Sequence, residues 1–227
     1  MYRKYIKRFL DIILSLIAII IFSPLYLIIS IVVKFQMGSP ILFSQDRIGK
    51  DEKMFKLYKF RSMTNEKDEN GNLLSEKERL TKFGIALRST SLDELPELFM
   101  ILKGDMSIVG PRPQPSFYLP YYKEEERKAH SVRGGLLPPD CLSKEVQCSW
   151  ETQLEFEKYY AENLTFLMDV KVVLYTFIIL YKRMKYNYGA DDRPMLHEYR
   201  RGTVDEKVLK EWEKKGVEIK WVNTLYL

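Results

Sequence analysis

Histidine and cysteine are scarce in this chain, two of each in 227 residues. His130, His197, Cys141 and Cys148 do not fall at zinc-ligand spacings, so no structural metal is expected and the thiols should be reduced. Charge of either sign is in short surplus too: 36 Lys and Arg against 31 Asp and Glu give a net charge of +5. That favours anionic partners without choosing among lipid headgroups, nucleotides, phosphosugars and nucleic acid. The basic residues are dispersed among acids, not gathered in a stripe with interleaved aromatics, which argues against a nucleic-acid partner. The chain has no internal repeat and no low-complexity tract. Its later apolar stretch, Val172 to Tyr181, is only ten residues and is too short to cross a bilayer.

The N-terminus is different. Ile12 to Val33 is an uncharged run of 22 residues, where a span needs roughly 20. A signal peptide has an apolar region of about 7–15 residues and a small-residue cleavage site. Here Lys34-Phe35-Gln36-Met37 follows instead. Ser23-Pro24 interrupts the run. Proline withholds the amide that would bond the Ile20 carbonyl, and a kink is expected there. An unpaired carbonyl in hydrocarbon costs several kcal/mol, which the Ser23 hydroxyl can partly offset. Arg3, Lys4, Lys7 and Arg8 precede the run and Lys34 follows it. A spanning helix has one basic flank by the positive-inside rule. Basic flanks at both ends suit a re-entrant hairpin, and the residues alone leave that and a kinked spanning helix open. The 15 Tyr and 12 Phe suit a protein at an interface.

Beyond the membrane segment, Pro40 to Gln45 and Phe55 to Met63 read as strands joined by a turn at Gly49 to Glu52. Alternation puts Lys59 and Arg61 on one face, as a phosphate site or as a solvated edge strand. Asn70-Gly71 marks a turn. Ser75 to Glu78 is a capping box, predicting a helix through Leu80, Phe83 and Leu87 toward Arg88. Ser91 to Glu94 repeats the box, but Pro96 is a poor fifth helical residue and a good first one. Asp93 and Glu94 therefore sit on a distorted first turn or just before a helix. Either way they lie at the positive end of its dipole, which favours their ionised forms. The helix is expected over Glu97 to Lys103, closed by Gly104. In the loop that follows, Pro111 and Pro113 restrain the backbone around Arg112, whose guanidinium suits a bidentate phosphate clamp or a plain surface turn.

Phe117 to Tyr122 is aromatic and suits either the headgroup layer or a core cap. Lys123 to His130 reads as helix, Arg133 to Pro139 as loop. Ser149 caps a helix over Trp150 to Ala161. A helix over Phe166 to Tyr181, ended by the basic Lys182, Arg183 and Lys185, belongs to the core or lies flat on anionic lipid. From Tyr186 the composition turns polar. A third capping box at Thr203 to Glu206 opens a helix whose Val204, Val208, Leu209 and Trp212 share a face, and Val217 to Val222 reads as a strand.

The N-terminal KRFLDIILS, the Ser23-Pro24 break, FKLYKFRSM and above all LRSTSLDELPELFMILKGDMSIVGPRP resemble the small monotopic phosphoglycosyl transferases, the bacterial initiating sugar-transferase family. The resemblance is strong to about residue 125, a little over half of the chain. It implies transfer of a phosphosugar from a nucleotide diphosphate sugar, commonly a UDP-sugar, to polyprenyl phosphate such as undecaprenyl phosphate, with release of UMP. It also implies a covalent aspartyl-phosphosugar intermediate, Mg²⁺, and a re-entrant helix at the cytoplasmic face of the bacterial inner membrane. Carried over residue by residue, Asp93 is the nucleophile, Glu94 binds Mg²⁺ or relays a proton, and Lys59, Arg88 and Arg112 face phosphates. Ser23 and Pro24 form the membrane kink.

The chain departs from the family's usual RPGITGWAQVNGR block. Val132 to Asp140 keeps Arg133 and Gly135, has Gly134 for proline, and lacks the rest, so a different sugar pocket is expected. A membrane-anchored, non-catalytic family member that assists glycan assembly is the second reading. The expected fold is α+β, mostly helical with a small β-hairpin. Its parts are a re-entrant anchor (1–36), a cytoplasmic catalytic domain (37–185) and a C-terminal extension (186–227). The oligomeric state stays open, a homodimer included.

Overall fold

A computed structural model describes residues 1–185, 193–217 and 219. A single π-helical turn, Tyr2–Ile6, leads directly into α1, Lys7–Met37. The apolar run is thus one helical stretch of 36 residues, with a mean hydropathy of 2.9 over its most apolar part. It passes through Pro24. The Ile20 carbonyl that proline deprives of an amide accepts the Ser23 hydroxyl at 2.8 Å, the compensation expected from the sequence.

Two strands follow, β1 (Leu42–Ile48) and β2 (Met54–Phe60), paired antiparallel with Leu42 opposite Phe60 and Ile48 opposite Met54. The expected hairpin is present, shifted by a few residues. The single helix expected from Ser75 is two: α2 (Glu76–Arg79) under the predicted capping box, and α3 (Lys82–Ser89) recapped by Thr81, whose hydroxyl accepts from the Gly84 amide. Leu80 breaks the run because it bridges to Met63. Gly84 then lies against the chain at Ser62, where an added Cβ would stand 1.9 Å from a carbonyl oxygen. The second predicted box does not form. Ser91 takes a left-handed conformation (φ 55°) with no capping bond, and a 3₁₀ turn over Leu92–Glu94 precedes α4, Glu97–Lys103. Gly104 closes α4 at φ 108°.

Strand β3 (Ser107–Val109) pairs in parallel with β4 (Gly135–Leu137). The sequence read the latter as loop, since three residues are too few to display alternation. The pairing is close: a Cβ on Gly135 would come within 2.1 Å of the Gly110 nitrogen. Phe117 to Tyr122 turns into the core against Trp150, Leu196 and Leu209, and is not a headgroup belt. Glu126–Ser131 forms 3₁₀ turns where an α-helix was expected.

Helix α5 (Trp150–Glu162) has its Ser149 cap as predicted. Helix α6 (Phe166–Lys185) belongs to the core on one face, with Val172 and Ile179 buried, and leaves Leu167, Leu174, Phe177, Ile178 and Tyr181 exposed on the other. Short α7 (Leu196–Tyr199) and α8 (Glu206–Lys214) follow among the described residues, α8 capped by Asp205 two residues after the predicted Thr203, whose hydroxyl turns back to the Arg200 carbonyl. The strand expected over Val217 to Val222 lies largely outside the described residues.

Both ends of α1 are tied to this one body. Near its start, Lys7 Nζ lies 2.6 Å from Asp169 on α6. The same carboxylate accepts the Tyr2 and Tyr160 hydroxyls, each at 2.5 Å. Arg8 donates to the Ile101 and Leu102 carbonyls at the end of α4. The buried Asp11 carboxylate accepts from the Ser107 hydroxyl and the Ile108 amide. Further along, Tyr26 donates to the Leu95 carbonyl. At the far end Ile29, Val33 and Met37 pack with Phe60 and Leu87.

Removing one partner of a buried ion pair costs about 3–5 kcal/mol, because the other is left uncompensated. Asp169→Ala, which strands Lys7 and the Tyr2 hydroxyl and leaves Tyr160 only the Val109 carbonyl, should therefore lower the thermal midpoint in detergent markedly. Lys7→Met should lower it less, because Asp169 keeps both hydroxyl donors. Equal midpoints for Asp169→Ala and the unaltered protein would contradict this.

Candidate active site

Strand β2, the turn before α4 and the loop after β3 converge on one cluster of charges. Lys59, near the end of β2, points at that turn, with Nζ 2.6 Å from Glu94 Oε1 and 3.3 Å from Glu97 Oε1. Burial works against the lysine charge, but Glu94, Glu97 and Asp93 outweigh it and hold its pKa above the ordinary value. Glu94 is the mirror case. Burial would raise it, yet Lys59, Arg112 and Arg183 keep it below the usual carboxylate range.

Asp93 is buried. Burial, and next the Glu94 charge, push its pKa up to about 6 against the pull of Lys59 and Arg88. The expectation that the dipole of α4 would favour its ionised form is therefore overridden. A seven-residue helix offers little to set against desolvation and a neighbouring carboxylate. Glu97, also buried, rises to about 7 for the same two reasons, burial and Glu94, opposed by Lys59.

Glu94 and Arg112 line a cavity of about 210 Å³, together with Ser91, Asp140, Glu145 and Arg183. Its apolar wall includes Ala18 and Phe22 of α1, Leu95, Leu98, and Thr176, Ile179 and Leu180 of α6. The Arg112 amide donates to Glu157 Oε1 at 3.3 Å, so the proline-flanked loop is held from α5 as well. Burial lifts Glu157 to about 8, with Gln153 and Arg112 opposing.

Of the residues singled out from sequence, Lys59, Asp93, Glu94 and Arg112 come together. Arg88 approaches Asp93 electrostatically while its Nε donates to the Ser62 hydroxyl at 2.9 Å. Asp93, Arg88 and Lys59 do not line the cavity; Ser91 and Glu94 on either side of Asp93 do. Ser23 and Pro24 do not line it either, though Phe22 does. Arg61 does not join Lys59. The strand ends at Phe60, and the Arg61 guanidinium turns to the Pro40 carbonyl at 2.9 Å.

Three residues escaped the sequence reading. Glu97 was legible, because three and four residues after Glu94 and Asp93 is the spacing of one helical face. Arg183, at a basic helix end that suits anionic lipid, lines the cavity instead. Glu157 gave no signal, being one acid among several on α5.

Among the described residues no three His, Cys, Asp or Glu side chains form a protein-only metal cage. The residues nonetheless fit Mg²⁺, which is held by one or two carboxylates plus phosphate oxygens and water. Glu94, held ionised and lining the cavity, with Asp93 and Glu97 close by, supplies such a carboxylate.

Over residues 2–183 the chain matches the family described as bacterial sugar transferase. It is 40% identical over 171 residues to EpsL of Bacillus subtilis, described as an uncharacterized sugar transferase, covering 75% of this chain and 85% of that one. It is 34% identical over 180 residues to the UDP-N-acetylgalactosamine-undecaprenyl-phosphate N-acetylgalactosaminephosphotransferase of Aeromonas hydrophila, covering 76% of this chain and 43% of that protein. The UDP-glucose:undecaprenyl-phosphate glucose-1-phosphate transferase of Klebsiella pneumoniae is 35% identical over 185 residues, 75% of this chain and 39% of its own. The chain thus spans most of the first relative and less than half the length of the other two. By the extent of these matches, the chain belongs to the bacterial sugar transferase family.

Proposed function

We propose that the protein transfers a sugar 1-phosphate from a UDP-sugar to a polyprenyl phosphate such as undecaprenyl phosphate, releasing UMP, as the first membrane step of a bacterial glycan pathway. The observation that carries this is the adjacency of Asp93 and Glu94 to Lys59 and Arg112 beside a cavity whose other wall is the apolar α1. The relatives in Aeromonas and Klebsiella are named for this class of reaction.

An Asp93 carboxylate oxygen attacks the phosphorus that bears the sugar. The bond from that phosphorus to the bridging oxygen breaks, and UMP departs with the electron pair. The acceptor's phosphate oxygen then attacks the same phosphorus and returns Asp93 as carboxylate. Asp93 is two-sided in a useful way: burial leaves it poorly solvated and reactive, while Lys59 and Arg88 keep it ionisable near neutrality. Arg112 clamps phosphate oxygens. Lys59 holds Glu94 in place and offsets its charge. Mg²⁺, bound by Glu94 together with substrate oxygens, would neutralise charge on the diphosphate. Positioning and charge neutralisation are what phosphoryl transfer chiefly needs.

The proposed membrane placement rests on α1. Its charged start and its Val33–Met37 end both pack on one globular body, which supports a helix bent at Ser23-Pro24 that enters and leaves by the cytoplasmic leaflet. The exposed apolar face of α6 would rest on the same leaflet. The cavity would then sit at the depth of the acceptor's phosphate. The divergent 132–150 segment supplies cavity residues Asp140, Cys141 and Glu145, which supports a sugar pocket of its own.

Asp93→Asn should reduce UMP release by more than ~10³-fold, and initial rates with both substrates varied should be ping-pong; UMP release at an undiminished rate would sink the nucleophile assignment. The pH profile carries a second test. Asp93 must be deprotonated to attack, so kcat/KM should fall as pH drops through about 6 and level off above. Lys59→Met removes a cation that lowers the Asp93 pKa, so this limb should move to higher pH. A limb that stays put would show that another group titrates. For topology, single cysteines at Tyr5 and Phe35 should both react with an impermeant maleimide from the cytoplasmic side of inverted vesicles. Labelling from opposite sides would mean a spanning helix.

A further inference from the structure

Beyond residue 183, where the family match ends, the chain returns to the site at Arg193. Its guanidinium stacks on the Trp150 ring, 3.8 Å from the centroid. From there it makes two bonds. Nη1 donates to the Cys148 carbonyl at 2.7 Å, and Cys148 lines the cavity. Nη2 donates to Gln153 Oε1 at 3.0 Å. Gln153 is 1% exposed and passes the interaction on: its Nε2 donates to Glu157 Oε1 at 2.8 Å. Glu157, also 1% exposed, accepts the Arg112 amide on that same oxygen.

The direction of every bond in this chain is fixed. An arginine can only donate, so the Gln153 oxygen faces Arg193 and its NH₂ faces Glu157. A Gln153 flipped the other way would set its NH₂ against the guanidinium. Arg193 thus selects the orientation in which Glu157 can receive both Gln153 and the backbone of the phosphate-clamping loop. Buried, fully directed networks of this kind hold geometry firmly, and their parts are strongly coupled.

We propose that Arg193 of the C-terminal extension is a positioning residue for the donor site, aligning Arg112 through Gln153 and Glu157 while pinning the cavity wall at Cys148. This rests on the reading of Arg112 as a clamp for the diphosphate of the nucleotide sugar. It gives the extension a role in substrate binding, although the extension lies outside the family's matched region.

The test is a double-mutant cycle on the full chain in detergent with Mg²⁺, reading the Kd for UDP by calorimetry and UMP release from a panel of UDP-sugars. Arg193→Met should weaken UDP binding about tenfold, the scale of one lost charge-assisted bond. In an Arg112→Ala background the same change should alter it less than twofold. Gln153→Leu, which cuts the relay and leaves the bonds to Cys148 and Trp150 in place, should show the same dependence on Arg112. Equal losses in both backgrounds would reduce Arg193 to a general structural contact and overturn the relay. A protein that binds UDP with this coupling yet releases no UMP would uphold the relay and count against the transferase reading. Failure of the unaltered chain to bind UDP would overturn both.

Discussion

Lys59 is the residue on which the site's electrostatics turn. Three carboxylates, Asp93, Glu94 and Glu97, are packed within one helical turn and largely out of water. Without a compensating cation at least one would keep its proton near neutrality. The Lys59 ammonium, within 3.3 Å of two of them, is the cation common to all three: with Arg112 and Arg183 it holds Glu94 ionised, while Asp93 and Glu97 stay poised near neutrality. One strand position therefore supplies the cation that acts on all three carboxylates before substrate arrives. The short hairpin β1–β2 is what delivers that lysine, and its position relative to α4 is secured by the packing of Leu57 with Leu98, Ile101 and Met106.

A similar economy governs the membrane helix. An apolar helix contacting a folded domain could slide or detach, since lipid is as good an apolar solvent as protein. Polar contacts supply what hydrophobicity cannot. Lys7 with Asp169, Asp11 with the Ser107–Ile108 backbone, and Tyr26 with the Leu95 carbonyl fix α1 in register against α4, β3 and α6. Because Ala18 and Phe22 of the same helix wall the cavity, that register also sets where the cavity lies along the apolar helix.

Much of this was legible in the chain. The apolar run, the hairpin, α4 between Pro96 and Gly104, the Ser75 and Ser149 caps and the Asp93-Glu94 pair all rest on local rules of spacing and capping. What was not legible depends on distant partners. The helix after Ser75 breaks because Leu80 bridges to Met63, and nothing near Leu80 announces it. The Ser91 box fails because the chain takes a left-handed turn there to reach the carboxylate cluster. Arg61 looked equivalent to Lys59 by alternation and is spent on a carbonyl instead. The raised pKa of Asp93 could not be read from its place before a helix, because burial is a tertiary property. Glu157 and Arg193 had no sequence signal at all; only folding joins them to Arg112.

The central claim is that Asp93 becomes covalently bonded to the sugar phosphate. Peptide mass spectrometry after brief incubation with a UDP-sugar substrate and no polyprenyl phosphate tests it directly. The account predicts a mass increase equal to the sugar phosphate on the peptide carrying Asp93, localised to that residue and lost when acceptor is added. UMP release with an unmodified Asp93, or the adduct on Glu94 or Glu97 instead, would contradict it.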